Sequence, residues 1–427
     1  MTLPPVIVLG VDTPIGLAVV RELGDHGVEV HGIGRNRRGL GLYSRRLHKG
    51  YLRPDDPARL LEQIDGIARR SGAPFLMTVS MNDAIAVREA ADAGRLPRVK
   101  PLLPALEKLA LVNDKAAVCR MAERLGIRVP TTWEPDAAIL EGELPDDLGF
   151  PCILKWRDPE LVAPALERLG LPMLKSEFVY TARELRAALA RYAPAGRFPM
   201  IQTYCAGGGL GHMFLMKNGE ALLRFQHRRL HEWPPEGGTS TLCESVGLDE
   251  NGALLAQSEA LLREIGWDGP AMVEYRHDDR SGRSWLMEIN GRFWGSLPLA
   301  YHSGAPFALG TYYALGLDRP LPPQPPYKAG RQCRYMVPEA KRLAAVAVRR
   351  RPIPDRSLSF SRSREAAAFL TGFVRPGMRY YVFKLRDPLP FLTDSAFIVG
   401  RAAGALFRRL APGRAEGAAM PVRKGLS

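Results

Sequence analysis

Four side chains in the segment 271–296 have the types and the spacing that bind a hard metal ion and a phosphate. Two short strand patterns separated by a polar turn predict a β-hairpin that brings Glu274 and Glu288 to the same end of the paired strands. Asn290 and Arg292 follow Glu288 at intervals of two residues, so their side chains lie on the same face. Carboxylate and amide oxygens bind Mg²⁺, which completes its coordination with water and phosphates. The pattern therefore predicts a magnesium site; a surface hairpin with a solvated acidic rim is the alternative.

The arrangement of Glu274 followed by Glu288-x-Asn290-x-Arg292 resembles the metal-binding end of the ATP-grasp ligases. The resemblance covers residues 1–320 and points to carboxylate-amine ligases, including predicted carboligases with a carbamoyl phosphate synthase-like nucleotide fold. It implies that the two acids and Asn290 are metal ligands. It also implies that the cofactors are ATP and two Mg²⁺ (or Mn²⁺) ions, and that Arg292 acts catalytically on the reacting groups.

Two lysines precede this segment. Lys155 ends the apolar strand pattern FPCILK, where an ammonium group is costly unless it has an anionic partner. The resemblance implies that Lys155 and Lys115 bind the phosphates of ATP; the alternative for Lys155 is a structural lysine that reaches the solvent. The glycine-rich loop that usually follows in these ligases is missing, because residues 156–176 contain only Gly170, and Lys175 could supply charge in its place.

A strand pattern running into a glycine turn resembles the hinge of the ATP-grasp fold. There the resemblance implies that Gln202, Thr203 and Cys205 contact the adenine, mainly through the main chain. Further along, Arg228 and Arg229 precede the segment EGGTST and resemble the basic, mobile loop that steadies the acyl phosphate, so both are predicted to be catalytic.

Other nucleotide and metal motifs are disfavoured. The chain contains neither GxGxxG nor GxxxxGK[ST], so the dinucleotide fingerprint and the P-loop are absent. His227 and His231 have the spacing of a metal pair, but their proline- and glycine-rich context predicts a loop and no third ligand stands close. A zinc site is therefore not expected there.

The elements that position these residues begin with a strand, a glycine turn, a helix and a second strand within residues 1–34. Gly10 and Gly16 allow the turn to approach a ligand or the helix start. The alternation continues and predicts a small doubly wound domain. Ser80 and Asp83 follow the carboxyl end of a strand, where ligands bind in such sheets, and are candidates for acceptor binding; a helix N-cap is the equal alternative.

The expected fold class is α/β and α+β, in three parts. A Rossmann-like domain that precedes the ATP-grasp fold covers residues 1–105. An ATP-grasp domain of two subdomains, with the nucleotide and metal site, covers residues 106–325 and ends in a proline-rich stretch. A basic helical C-terminal extension covers residues 326–427 and includes a candidate amphipathic helix over residues 397–410.

Composition places the chain among ordinary globular proteins, with 46% hydrophobic and 24% charged residues in a length of 427. The net charge is +14, and residues 331–427 carry all of it, with 20 Lys and Arg against 6 Asp and Glu. We therefore expect no nucleic-acid partner for the body. The extension is expected to pack against the body; contact with an anionic membrane surface is the alternative.

Five cysteines without metal spacing indicate a reducing compartment. We therefore expect the protein in the cytoplasm, with the inner membrane face as the alternative location. We also expect a homo-oligomer.

The resemblance implies an ATP-dependent ligase that activates a substrate carboxylate as an acyl phosphate and joins it to an amine, releasing ADP and phosphate. Its partners would be a small carboxylate and a small amine. A carboxylase or carbamoyl phosphate former that uses bicarbonate is the second hypothesis. A nucleotide-binding regulator without turnover is the third, because the glycine clamp is missing.

Overall fold

The computed structural model of the protein describes residues 3–157, 159–174, 176–235, 237–348 and 360–398. Its first sheet has five strands: β1 (Val6–Leu9), β2 (Val30–Gly34), β3 (Lys49–Leu52), β4 (Phe75–Thr78) and β5 (Lys100–Pro101). All neighbours are parallel, in the order β3-β2-β1-β4-β5. The central strands β1 and β4 are continuous buried runs, VIVL and FLMT, because both faces of the sheet are covered there.

Three helices cover this sheet: α1 (Pro14–Asp25), α2 (Pro57–Ser71) and α3 (Met81–Asp92). Leu17 and Leu23 of α1 pack with Val6 and Val8, whereas α2 and α3 pack with the alternate residues Ile7 and Leu9. The helices therefore lie on both faces, which confirms the predicted doubly wound architecture. The approach of α1 to the first strand requires a glycine, since a Cβ at Gly16 would lie 2.3 Å from the Gly10 carbonyl oxygen.

The middle of the chain builds a small antiparallel sheet. Its elements are α4 (Leu106–Asn113), α5 (Lys115–Arg124), β6 (Thr132–Trp133), β7 (Cys152–Lys155), α6 (Pro159–Arg168), β8 (Glu177–Val179), α7 (Ala182–Tyr192) and β9 (Met200–Thr203). The strand order is β6-β9-β7-β8. Cys152, Leu154 and Ile201 pack against α7, so the period of two turns Lys155 and Gln202 to the other face.

A sheet of seven strands completes the fold. Its elements are β10 (Gly208–Lys217), β11 (Glu220–Trp233), β12 (Thr239–Val246), α8 (Gly252–Ile265), β13 (Gly269–Asp278), β14 (Arg283–Asn290), α9 (Leu297–His302), α10 (Phe307–Thr311), β15 (Gln332–Arg334), α11 (Met336–Ala347), α12 (Arg362–Thr371), β16 (Arg379–Tyr380) and a helical segment over residues 389–398. The order is β14-β13-β10-β11-β12-β15-β16. α8 packs on one face of this sheet. The opposite face shares an apolar core with α1, through residues such as Phe225, Met272 and Trp294.

The C-terminal extension differs from its prediction in one respect. It is not only helical, because β15 pairs with β12 and β16 pairs with β15, so both strands extend the large sheet. These strands have three and two residues, too few for an alternating pattern to show in the sequence. Most of the candidate amphipathic helix, residues 399–410, lies outside the described residues. No helix in the described ranges combines the length and apolar character needed to cross a bilayer.

The described part of the extension packs against the first sheet. Arg21 of α1 donates from Nε to Asp387 Oδ2 at 2.8 Å, and from Nη2 to the Asp387 carbonyl oxygen at 2.8 Å. Ser44 Oγ and the Arg45 amide also donate to the Asp387 carboxylate, at 2.7 and 2.9 Å. Burial disfavours the charged carboxylate, but Arg21 and these donors outweigh it and lower the pKa of Asp387. The described segment around Asp387 is thus fixed to the first helix and to the segment that contains Ser44 and Arg45.

We expect Asp387→Ala to destabilise the protein by about 3–5 kcal/mol, because it leaves the Arg21 guanidinium buried without its partner. Urea unfolding at neutral pH measures this loss. Asp65→Ala is the matched control, since Asp65 pairs with Arg98 at 2.8 Å on the surface of the same sheet, where a pair contributes less than about 1 kcal/mol. Equal losses in the two variants would contradict the prediction. Because the pKa of Asp387 is lowered on folding, its contribution should disappear as the pH falls through that pKa.

Candidate active site

The hairpin predicted from residues 271–296 forms between β13 and β14. Glu274 and Glu288 are direct cross-strand partners, and Asn290 is the partner of Met272 two positions away. Cross-strand partners lie on the same face of an antiparallel pair, with Cβ atoms about 4.5–5.5 Å apart. The two carboxylates and the Asn290 amide therefore project from one face of the sheet.

A hydrogen-bonded row joins the three polar residues at the end of β14. Asn290 Nδ2 donates to Glu288 Oε1 at 3.0 Å, and Arg292 Nη2 donates to Asn290 Oδ1 at 2.9 Å. Arg292 Nη1 also donates to the Phe293 carbonyl oxygen at 2.8 Å, which fixes the guanidinium. The spacing of two residues thus produces the row that the sequence predicted.

Lys115 reaches this row from a distant part of the chain. Asp114 caps α5 by accepting hydrogen bonds from the amides of Ala116 and Ala117, and this places Lys115 in the first turn. Lys115 Nζ lies 3.3 Å from Glu288 Oε2. Burial disfavours the charged Glu288 carboxylate, but Lys115 and Asn290 outweigh this and lower its pKa. The side chain of Lys115 is 65% exposed, so it can turn from the carboxylate toward a ligand.

Glu274 belongs to a buried network of alternating charges. Arg229 Nη2 lies 2.6 Å from Glu274 Oε2, and Arg229 Nη1 lies 3.2 Å from Glu232 Oε1. Arg276 Nη1 lies 3.3 Å from Glu232 Oε2. Burial opposes the charge on Arg229, but Glu274 and Glu232 outweigh it and raise the pKa of Arg229. The pKa of Glu274 is also raised, first by burial and then by Glu288, although Arg229 opposes both.

The structure separates the two arginines that the sequence grouped together. Segment 227–233 is not a loop, as predicted, but the end of β11, because it pairs with β12 as far as Trp233. Neighbouring residues of a strand point to opposite faces, so Arg229 faces Glu274 and Arg228 faces away. Arg228 is the cross-strand partner of Glu244 and forms an ion pair with it at 2.6 Å. Arg229 joins the site, and Arg228 does not.

Lys155 approaches the site from the small sheet. Its Nζ donates to Gln202 Oε1 at 3.1 Å. Burial is the largest influence on Lys155 and lowers its pKa; Lys115 acts in the same direction, whereas Cys205 and Glu288 oppose them. Among the described residues the hydrogen-bond partner of this ammonium is the neutral Gln202 and not a carboxylate. A groove of about 240 Å³ lies at the end of the small sheet, where its lining includes Trp156, Phe198 and Met200 but not Lys155.

The predicted hinge follows β9. The Thr203 amide donates to the Thr131 carbonyl oxygen at 2.9 Å, and Gln202 Nε2 donates to Thr132 Oγ1 at 3.1 Å. The Thr203 amide is thus used by the sheet, and the Thr203 carbonyl oxygen accepts a hydrogen bond from Cys205 Sγ at 3.6 Å. Cys205 is buried, and burial raises the pKa of its thiol to about 12. A neutral thiol of this kind serves packing, so any adenine contact at Cys205 would use its backbone.

Two other predictions concern the surroundings of the site. The stretch after Lys155 contains helix α6 instead of a glycine-rich loop, and Lys175 lies outside the described residues.

Ser80 caps α3, accepting from the Asp83 amide at 3.2 Å and donating to Asp83 Oδ2 at 2.8 Å. Asp83 also pairs with Arg53 at 2.6 Å. The N-cap alternative therefore describes these two residues in the structure.

Sequence reasoning missed several residues around the site. Glu232 and Arg276 complete the buried network, and Arg276 could have been found because it follows Glu274 by two positions in the same strand. Gly209 was a further signal, because a glycine inside a strand pattern indicates that another group packs closely against it. In the structure that group is Arg229, since a Cβ at position 209 would lie 2.5 Å from Arg229 Cδ.

His227 binds Ser296 through Nδ1 at 2.7 Å, whereas His231 binds Glu339 at 2.6 Å. The two histidines have separate partners, which agrees with rejecting them as a zinc pair.

The donor set fits magnesium. Oxygens of Glu274, Glu288 and Asn290 meet on one face, and carboxylate and amide oxygens are the ligands that Mg²⁺ prefers. In the structure these oxygens contact the cationic side chains of Arg229, Lys115 and Arg292. The oxygens therefore already attract positive charge, which a metal cation could also supply. Lys115 is the most exposed of these contacts and the one that a metal ion could displace.

The fold is similar to that of several solved enzymes. N5-carboxyaminoimidazole synthetase from Staphylococcus aureus complexed with ADP matches with a TM-score of 0.58 and 12% identity, over 78% of this chain and 82% of that chain. Biotin carboxylase from Campylobacter jejuni, as a β-γ-ATP complex, gives 0.58 and 16%, over 77% and 74%. L-amino acid ligase from Bacillus licheniformis gives 0.53 and 14%, over 74% and 75%.

No protein-family model and no curated protein sequence matches the chain. The likeness is therefore one of structure, and it covers 74–78% of this chain. The architecture is identified by these structural neighbours and by the order of the sheets along the chain: a parallel sheet, a small antiparallel sheet and a large, mainly antiparallel sheet. The chain has the ATP-grasp fold.

Proposed function

We propose that the protein is an ATP-dependent ligase that activates a carboxylate as an acyl phosphate and joins it to an amine. The observation that carries this proposal is the cross-strand pair Glu274 and Glu288 with Lys115 3.3 Å from Glu288. These residues come from separate elements, and no structural need of the sheet requires two acids side by side, since like charges directly opposite each other destabilise a strand pair.

Each group has a role in this reaction. Glu274, Glu288 and Asn290 would hold magnesium, which when bound neutralises phosphate charge and orients the terminal phosphoryl group. Lys115 and Lys155 bind the phosphates. A carboxylate oxygen of the substrate attacks the terminal phosphorus, the bond to the bridging oxygen breaks, and ADP leaves.

The second step forms the amide. The amine nitrogen attacks the acyl carbon, phosphate leaves with the electrons of the acyl C–O bond, and the nitrogen gives up a proton. Arg292, held by Asn290 and Phe293, stabilises the oxygen charge that develops in this step. Arg229 is committed to Glu274 and Glu232, so it positions the metal-binding carboxylate instead of contacting the substrate.

A carboxylating enzyme is the second candidate, because two of the structural neighbours are named for carboxylation. They are biotin carboxylase and N5-carboxyaminoimidazole synthetase. In that reaction bicarbonate would take the place of the organic carboxylate. The L-amino acid ligase among the neighbours favours amino acids as the first substrates to examine for the leading proposal. A regulator that binds ATP without turnover is a third candidate, supported by helix α6 where a glycine-rich loop would close on the phosphates.

A magnesium-dependent ADP-release screen tests the three candidates together. Amino acids and small carboxylates are paired with amines in one arm, and bicarbonate is supplied without an amine in the other. We expect ADP release that requires both an acid and an amine, with one amide formed per ADP. Release with bicarbonate alone would favour the carboxylase, and ATP binding without release in either arm would favour the regulator.

A further inference from the structure

Three potential metal ligands meet at the first sheet, on residues that the proposed ligase reaction does not use. Glu29 directly precedes β2, His31 is the second residue of β2, and His48 directly precedes β3. Since β2 and β3 are parallel neighbours, all three lie at the amino-terminal edge of the sheet. The amide of His48 donates to the Val30 carbonyl oxygen at 3.0 Å, which holds the two strand starts together.

The distances between the ligand atoms suit one tetrahedral ion. Glu29 Oε1 lies 2.9 Å from His31 Nε2 and 3.3 Å from His48 Nε2, and all three ligand atoms lie within 4.8 Å of one another. Ligands about 2.0–2.1 Å from a tetrahedral zinc ion are separated by about 3.3 Å. Within the described residues, this is the one group of three His, Cys, Asp or Glu side chains with such spacing.

The second nitrogen of His31 is held as it is in metal sites. Tyr51 Oη lies 3.2 Å from His31 Nδ1, and a partner at that nitrogen orients the ring and leaves Nε2 for the metal.

We propose that Glu29, His31 and His48 bind a transition-metal ion of the zinc class, with water as the fourth ligand, and that the ion fastens edge strand β3 to β2. Imidazole ligands suit Zn²⁺ and Co²⁺, whereas the oxygen ligands near Glu288 suit Mg²⁺. The site lies at the amino ends of the parallel strands, opposite to the edge that carries Ser80. The site is therefore separate from the proposed ligase reaction.

The test uses the full-length, metal-stripped protein without a histidine tag, in excess Mg²⁺ to occupy the oxygen site. Zn²⁺ affinity is measured by competition with a chromophoric chelator, and Co²⁺ absorption reports tetrahedral coordination. We expect one Zn²⁺ per chain. Tyr51→Phe should weaken binding about 10- to 100-fold, the usual effect of losing a partner of a metal-bound histidine. His48→Ala, which removes a ligand on an exposed side chain, should weaken it further.

His26→Ala is the matched control, because His26 lies in the same part of the fold and contacts the Glu22 carbonyl oxygen at 2.8 Å. Its Zn²⁺ affinity should equal that of the unaltered protein. Zn²⁺ should also raise the Tm of the unaltered protein and of His26→Ala but not of His48→Ala. Absence of stoichiometric Zn²⁺ binding, or equal binding by His48→Ala and His26→Ala, would overturn the proposal. Neither readout depends on ligase activity.

Discussion

Replacing Glu288 with glutamine should abolish magnesium-dependent ADP release while the protein stays folded. The change keeps the size of the side chain and the oxygen that accepts from Asn290, but it removes the charge that would bind a metal ion. Metal charge supplies several kcal/mol of transition-state stabilisation, so turnover should fall on the order of a thousandfold. Stability should be unchanged or slightly lower, because the folded state favours the charged form of Glu288 and the lost pair with Lys115 is exposed.

Glu244→Gln is the control for this change. Glu244 is also a strand carboxylate of the large sheet with a cationic partner, Arg228, but it belongs to the face that points away from Glu274. Its turnover should be close to that of the unaltered protein, and circular dichroism with thermal unfolding should show both variants folded. Normal turnover by Glu288→Gln would refute the metal assignment, and equal loss in both variants would mean that the sheet, not the metal site, was disturbed.

The second large effect is expected from Lys155→Met. Loss of a charged hydrogen-bond donor to phosphate should weaken ATP binding by about 2–3 kcal/mol, which raises the Kd about thirty- to one-hundred-and-fifty-fold. The protein without nucleotide should not be destabilised. Burial lowers the pKa of Lys155, and its partner is the neutral Gln202 rather than an acid, so a methionine of similar length removes an unfavourable burial of charge.

The two expected effects, weaker ATP binding and undiminished stability without ATP, distinguish a role of Lys155 in binding from a role in stabilising the fold. Calorimetric titration with ATP and thermal unfolding without ATP are measured on the same preparation. Lys217→Met is the control, because Lys217 also lies on a strand but pairs with Asp318 and with the Ala314 carbonyl oxygen. It should lose stability and keep ATP affinity. If Lys155→Met lost stability and retained affinity, Lys155 would be the structural lysine that the sequence left as an alternative.

The parts of the site that could be predicted from sequence are those set by local geometry. Glu274, Glu288, Asn290 and Arg292 lie within one hairpin, and a period of two fixes their common face wherever the hairpin forms. The contact between Lys115 and Glu288 spans distant parts of the chain. No spacing rule reaches that far, so only the resemblance to ATP-grasp ligases indicated it.

Errors arose where tertiary pairing overrode local signals. The prolines and glycines after Trp233 indicated a loop, and the loop was assumed to begin earlier, at His227. Pairing with β12 holds those residues in β11 instead, and this decides that Arg229 and Arg228 face opposite sides. Pairing with a neighbouring strand sets the conformation of such a stretch because its backbone groups must be hydrogen-bonded, whatever turn residues follow it.

The buried ion pair between Arg21 and Asp387 also has a consequence for biosynthesis. During translation Arg21 leaves the ribosome long before Asp387 is added, and until then its guanidinium has no carboxylate to meet at that position. The first helix of a nascent chain therefore lacks this buried ion pair until residue 387 has been added. Ribosome-bound chains stalled before residue 387 should be digested by protease within the first helix, and chains stalled well beyond it should resist.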